Sequence, residues 1–309
     1  MDRQWFDPEE QGMMSRVRHL PDRINSYSQR CGWVLLTMAL ASGFGCRGAG
    51  ETTDRMIPRG FKGNPWGPVA NAKRANGEFP VIPDNRETLA WEAWGRTHLQ
   101  EGDIVLRMGD ARAALGLFPF SKVSAAIADS RFSHSGIVAI ENGQAVVYDT
   151  TTTGPQRQPF KIWLLDTRGS FAVKRPKPEY QASAPKAVAY CRQAYEKQVP
   201  FDFNMSMGDE KLYCIELTER AYQSTGLPLS KPLRLDELPR YREYPKVVRL
   251  LKLATSMVPE QQAYVIGNER IGIWASPALD TIYDAPDGRA PGLENAAIAA
   301  RPDEKKRVR

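Results

Sequence analysis

The chain has 309 residues, of which 42% are hydrophobic and 25% charged, so it can bury a substantial core and does not read as a disordered polymer. Lys and Arg number 42 against 36 Asp and Glu, and the resulting +6 favours acidic surfaces, such as anionic lipid headgroups, only weakly. Four cysteines without a CxxC pair exclude a disulfide-dense scaffold, and three histidines leave little for a His/Cys metal site.

No EF-hand loop, helix-turn-helix signal, zinc-finger spacing or aromatic-basic ribonucleoprotein motif is present. The expectation is no metal, no cofactor and no nucleic-acid partner.

At the amino end, Arg16, Arg18, Arg23 and Arg30 precede the apolar run CGWVLLTMALASGFG at 31–45. Basic residues followed by an apolar stretch are the order of an export signal. The run is shorter than the roughly 20 residues a membrane-spanning helix needs. Residues 1–46 are therefore read as a signal or membrane-targeting segment of a cell-envelope protein, with Met13 or Met14 giving a more ordinary signal length. Cys46 stands where a lipid-modified cysteine would, although Gly43-Phe44 fits a lipobox poorly. The next stretch, 47–95, is dense in Gly, Pro and Asn and reads as an irregular linker or surface wrap, with Trp66, Trp91 and Trp94 docking parts of it on the main domain.

EGDIVLR at 101–107 carries the first strand pattern. Residues 111–128 look partly helical and are interrupted by Pro119. In RFSHSGIVAIENGQAVVYDT, apolar stretches flank Asn142-Gly143, the residue pair that a tight hairpin turn needs at its positive-φ positions. This places His134 at the start of one strand and Asp149 near the end of its partner, so the hairpin brings the two ends together. FAVKRPK at 171–177 predicts another strand. Ala187, Cys191, Ala194 and Tyr195 share one face of a helix over 186–198, where Cys191 is a small buried group. LYCIELTERAY follows, with Thr218, Ala221 and Tyr222 at one-turn intervals beyond Cys214. Gly226 and Pro228 end that helix. A thiol in the first turns of a helix sits where negative charge is stabilised.

FSHSGIVAI, then VVYDT, then PFDFNMSMGDEKLYCIELTERAY, in this order, resembles the circularly permuted papain-like hydrolases of the NlpC-type superfamily, and most of all the YiiX/YaeF-like group. The likeness spans roughly 98–240. It implies an α+β fold, with an antiparallel sheet packed against the nucleophile helix and a catalytic domain over 96–245. It implies Cys214 as nucleophile, His134 as general base and then general acid, and Asp149 as the residue that orients the imidazole. Glutamate is often found at the Asp149 position and serine at Ile215, so the chain departs from the pattern at both. Glu216 is expected to brace the site from beneath, and Asp103 to shape the first strand and its turn. Asp202 and Asp209 are expected to brace loops, and Tyr213 and Phe203 to pack or to line a pocket.

The implied chemistry is thiolate attack on an amide or ester carbonyl, with the Cys214 amide helping to hold the oxyanion. The expected substrate is a peptidoglycan-derived peptide or a lipid acyl group, with an anionic membrane surface as a further partner. Transfer to an acceptor other than water would make the same site an acyltransferase. A degenerate site would leave a noncatalytic envelope-binding protein. Residues 246–309 are read as a C-terminal extension, with KVVRLLKLA as a strand or short helix and the basic tail PDEKKRVR as mobile.

Overall fold

The computed structural model describes residues 68–111, 119–208, 210–254 and 257–293. Residues 1–46, read from the sequence as a signal or membrane-targeting segment and including Cys46, lie outside the described residues, as do Asp209 and the basic tail.

In chain order, the first helices are α1 (Pro68–Ala75) and α2 (Arg86–His98). Strand β1 (Ile104–Arg107), helix α3 (Phe120–Ile127), the hairpin β2 (His134–Glu141) and β3 (Gln144–Thr151), and strand β4 (Gly154–Pro159) follow. A short helix α4 (Phe160–Leu164) leads to β5 (Phe171–Pro176), α5 (Ala184–Glu196) and α6 (Cys214–Gln223). The chain continues through β6 (Leu233–Arg234), α7 (Pro245–Ala254), β7 (Gln262–Ala263) and β8 (Leu279–Ala285).

Six strands form one antiparallel sheet in the order β4-β3-β2-β1-β5-β8, and β6 pairs with β7 separately. The β2–β3 turn is the two-residue Asn142-Gly143 loop, with φ of 51° and 74° and Glu141 opposite Gln144. These angles match the inward twist of a hairpin. Alternation along the strands divides the core. Ile104, Leu106, Ile137, Ala139 and Tyr148 face Ala187, Cys191, Leu217 and Tyr222 of α5 and α6. Val105, Val138, Val147, Phe171 and Val173 face Trp91 and Trp94 of α2 and Trp163 of α4. Helices cover both faces, which explains why all four β1 residues are buried.

Two boundaries differ from the sequence reading. The stretch 47–95, expected to be irregular, contains α1 and α2. Helix α2 starts with a reciprocal cap, in which Thr88 N donates to Asn85 Oδ1 and Asn85 N donates to Thr88 Oγ1. Trp91 is fully buried and meets Phe171 edge-on at 5.0 Å, so α2 is a core layer of the domain. The dense Pro and Gly around it mask a helix that is held by tertiary packing. The C-terminal extension likewise supplies β8, which completes the sheet beside β5. KVVRLLKLA lies in α7, so it is a helix and not a strand.

Candidate active site

His134 is the first residue of β2 and pairs with Arg107, the last residue of β1. The β2–β3 register pairs Ile137 with Tyr148, which sets Gly136 opposite Asp149 and puts His134 diagonally across on the same face. A Cβ on Gly136 would lie 2.6 Å from Val147 Cγ1 and 3.3 Å from Asp149 Cβ. Glycine therefore clears the diagonal, and the short aspartate reaches the imidazole: His134 Nε2 lies 2.7 Å from Asp149 Oδ2. The aspartate side chain is therefore long enough to hold the ring from the neighbouring strand.

Cys214 opens α6, whose N-cap, Tyr213, is extended and makes no side-chain cap. Ser135, the neighbour of His134, points the other way and fastens the helix to the sheet. Its hydroxyl donates to the Cys214 carbonyl at 3.2 Å and lies 2.9 Å from Thr218 Oγ1. Cys214 is the largest source of negative charge that favours the protonated His134 ring, ahead of the hydrogen bond to Asp149. With Nε2 committed to Asp149, Nδ1 is the ring nitrogen left for the thiol. Burial disfavours the imidazolium and so does Arg107, but the charge of a Cys214 thiolate and the hydrogen bonds to Asp149 and Cys214 raise the His134 pKa to about 9. Cys191 is different: it is buried on α5, and desolvation pushes its thiol far above the ordinary range.

Asp149 is fully buried and is itself held. Trp163 Nε1 donates to the same Oδ2 at 2.8 Å, and Gln158 Nε2 approaches Oδ1 at 3.4 Å. The Trp163 ring stacks near His134, with centroids 5.9 Å apart, and the Arg107 guanidinium lies 4.0 Å from the centroid of the same ring. Arg107 donates to the Trp163 carbonyl and lies 3.6 Å from Asp166 and 4.0 Å from Asp149. Arg74 donates to Gln158 and to Asp166, so the network extends to α1. The sequence reading named none of Arg107, Gln158 and Trp163. Each lies on an element whose local pattern is merely apolar or irregular, and they meet only through sheet order.

The remaining candidates are structural. Asp103, at the opposite end of β1 from His134, accepts two bonds from Arg175 at 2.7 Å each and one from the Gln100 amide at 2.8 Å. It shapes the start of β1 and is remote from the thiol. Asp202 holds the 202–206 turn by accepting from the amides of Asn204 and Ser206 and from the Ser206 hydroxyl. Tyr213 is buried, and its hydroxyl accepts from the Tyr264 amide at 2.6 Å. Glu216 is buried beneath Cys214 beside Arg220; burial pushes its carboxyl up to about 7 against the opposing pull of Arg220 and the Tyr213 amide.

Among the described residues, no group of three or more His, Cys, Asp or Glu is placed to hold a metal ion, and no helix is long and apolar enough to cross a membrane.

Residues 98–247 match the family described as permuted papain-like amidase enzyme, YaeF/YiiX, C92 family. The matched residues are just under half of the chain, and over that span the chain is similar to this family. The matched span includes Cys214, His134 and Asp149, and the family's description as an amidase supports a hydrolase reading. An uncharacterized protein, YiiX of Escherichia coli strain K12, is 25% identical over 141 residues, which is 45% of this chain and 65% of that protein. The match thus spans just under two thirds of the relative's length. A solved structure described as metalloprotein yiiX from Escherichia coli O157:H7 is 22% identical, with a TM-score of 0.49 over 60% of this chain and 97% of that one.

Proposed function

We propose that the protein is a thiol hydrolase that opens an amide or ester bond through an acyl-enzyme on Cys214. The observation that carries this reading is an imidazole that the buried Asp149 holds through Nε2 and whose charge is coupled to the Cys214 thiol. His134 takes the thiol proton, and the thiolate attacks the carbonyl carbon. Asp149 fixes the ring and balances the imidazolium, as the third member of such triads does. The imidazolium then protonates the departing amine or alcohol, and water, activated by the same ring, releases the acid. Cys214 is the first residue of α6, and a helix amino terminus favours the negative charge of an oxyanion formed beside it. The basic-then-apolar leader supports an envelope location for this reaction.

Cys191 supplies an internal control. A thiol-directed probe at neutral pH is expected to label Cys214 faster than Cys191, and His134→Ala is expected to slow that labelling sharply. Equal labelling of both thiols, together with an activity that survives Cys214→Ala, would refute the enzyme reading and favour a noncatalytic binding protein.

A further inference from the structure

Beside Cys214 lies a cavity of about 140 Å³, walled by α3, the 201–205 turn, the amino end of α6 and the 257–266 segment. Cys214 and Ser133 form part of its wall, and none of the residues that line it is charged. Its hydroxyls are largely spent inside the protein. Ser124 Oγ donates to the Ser121 carbonyl, and Ser130 and Ser133 Oγ accept the amides of Phe132 and Gly109. Tyr213 Oη accepts the Tyr264 amide, which leaves its ring as apolar wall. An ionised peptide side chain placed here would lose its water and meet no opposite charge, which is unfavourable.

The rim of the cavity is apolar as well. Val258 is a lining residue and is 52% exposed. Phe203 is 53% exposed and meets the lining residue Phe201 edge-on at 5.0 Å. The two rim segments are tied together, because Gln261 Nε2 donates to the carbonyls of Asn204 and Met205. Exposed large apolar groups gathered at one opening mark a binding site better than groups scattered singly.

We infer that this cavity holds the hydrocarbon chain on the acyl side of the substrate, so that the protein acts on long-chain acyl esters or amides. The inference rests on the thiol-hydrolase reading and specifies its substrate class. The Cys214 sulfur bonds to the acyl carbon as the carbon–oxygen or carbon–nitrogen bond breaks, and the leaving group takes the proton from His134. Water then adds to the thioester and gives its proton to His134, and the fatty acid leaves as the sulfur–carbon bond breaks. The net reaction consumes one water and yields one acid and one alcohol or amine.

The test uses the full chain and two ester series below their micelle concentrations. In the first, p-nitrophenyl esters run from acetyl to dodecanoyl. kcat/KM is expected to rise by up to about fourfold per methylene buried, and then level off when the chain outgrows the cavity. In the second, acetyl esters carry alkyl alcohols of rising length, and a flat response is expected. Acyl-chain independence, or a length preference confined to the alcohol series, would overturn the acyl cavity while leaving the thiol mechanism intact. Survival of all turnover in Cys214→Ala would instead overturn the mechanism itself.

Ala125→Leu and Ala263→Leu narrow the cavity from two sides and are expected to move the preferred chain to shorter lengths. Should either variant fail to fold, acid-trapping the wild-type enzyme in an equimolar acetyl and decanoyl mixture gives the same information. The decanoyl mass on Cys214 should exceed the acetyl mass at least tenfold, and an equal ratio refutes the proposal.

Discussion

On the Asp149 side of His134, charges are packed against charges: Arg74, Arg107, Asp166 and Asp149 share Gln158 and Trp163 among them in a largely buried space. On the far side of Cys214, no charge lines the wall and the space is open. The difference separates two tasks. A buried ionic network costs desolvation and is strongly destabilising to break, so it fixes geometry. An apolar cavity fixes little and discriminates by size. The thiol and imidazole stand on the boundary, with reaction geometry set from one side and substrate accommodated on the other.

The largest expected effect comes from the boundary itself. Cys214→Ala should lower turnover by about 10³-fold or more, since a nucleophile and its base act as a unit. Steady-state kinetics on the best ester, with circular dichroism to show a retained fold, checks this. On the polar side, Asp149→Asn should cost about 10²-fold or more, because an amide can hold the ring in the wrong tautomer and cannot balance the imidazolium. A loss smaller than tenfold would mean that the network is scaffold alone.

The His134 titration probes the same boundary. Its folded pKa, about 9, lies above the ordinary value of about 6.5 for an unperturbed histidine. The stabilisation from its partners is therefore full below about pH 6.5 and is lost as pH rises through about 9. Among the raising influences, the Cys214 thiolate is the largest. In Cys214→Ala the imidazole should thus titrate at least one unit lower, as followed by NMR of the ring protons. An unchanged value would mean that the Asp149 side alone sets the charge of the ring.

The legibility of the site followed the same division. Asn142-Gly143 marked the hairpin because two adjacent positive-φ positions are a local demand, and that hairpin alone brought His134 near Asp149. Cys214 was legible from the helix that it opens and from the order of the motifs. Arg107 and Trp163 were not, because their contact joins residues 56 apart and no local pattern distinguishes a buried arginine from a strand-end charge. Helix α2 was hidden for a related reason: its stability comes from Trp91 against Phe171, a partner on another element. The apolar cavity gathers residues from 120 to 266, and only the folded chain juxtaposes them.

Trp163→Phe is a gentler break of the polar side. It keeps an aromatic ring beside His134 and Arg107 but removes the Nε1–H donor to Asp149, so a drop of roughly three- to tenfold in kcat is expected, less than the full worth of a charge-assisted hydrogen bond because the donor acts on His134 only through Asp149. The chain-length preference should not move, because Trp163 does not line the cavity. A shift in that preference would show that the two sides are coupled.

The smallest expected effect on activity is beneath the helix, at Glu216. This carboxyl is fully buried, Oε2 has no partner, and its pKa is raised to about 7. A raised carboxyl pKa means that the native state holds the proton more tightly than the unfolded chain does, so stability falls as pH rises from about 4.5 through about 7. Glu216→Gln removes that titration and the cost of burying the ionised form. The variant should gain on the order of 1 kcal/mol in urea unfolding at pH 8 and nothing at pH 4. Its kcat should stay within about threefold of wild type, because Glu216 supports α6 without touching the reacting atoms. A loss beyond about thirtyfold, with the stability gain intact, would make Glu216 part of the polar machinery that positions Cys214.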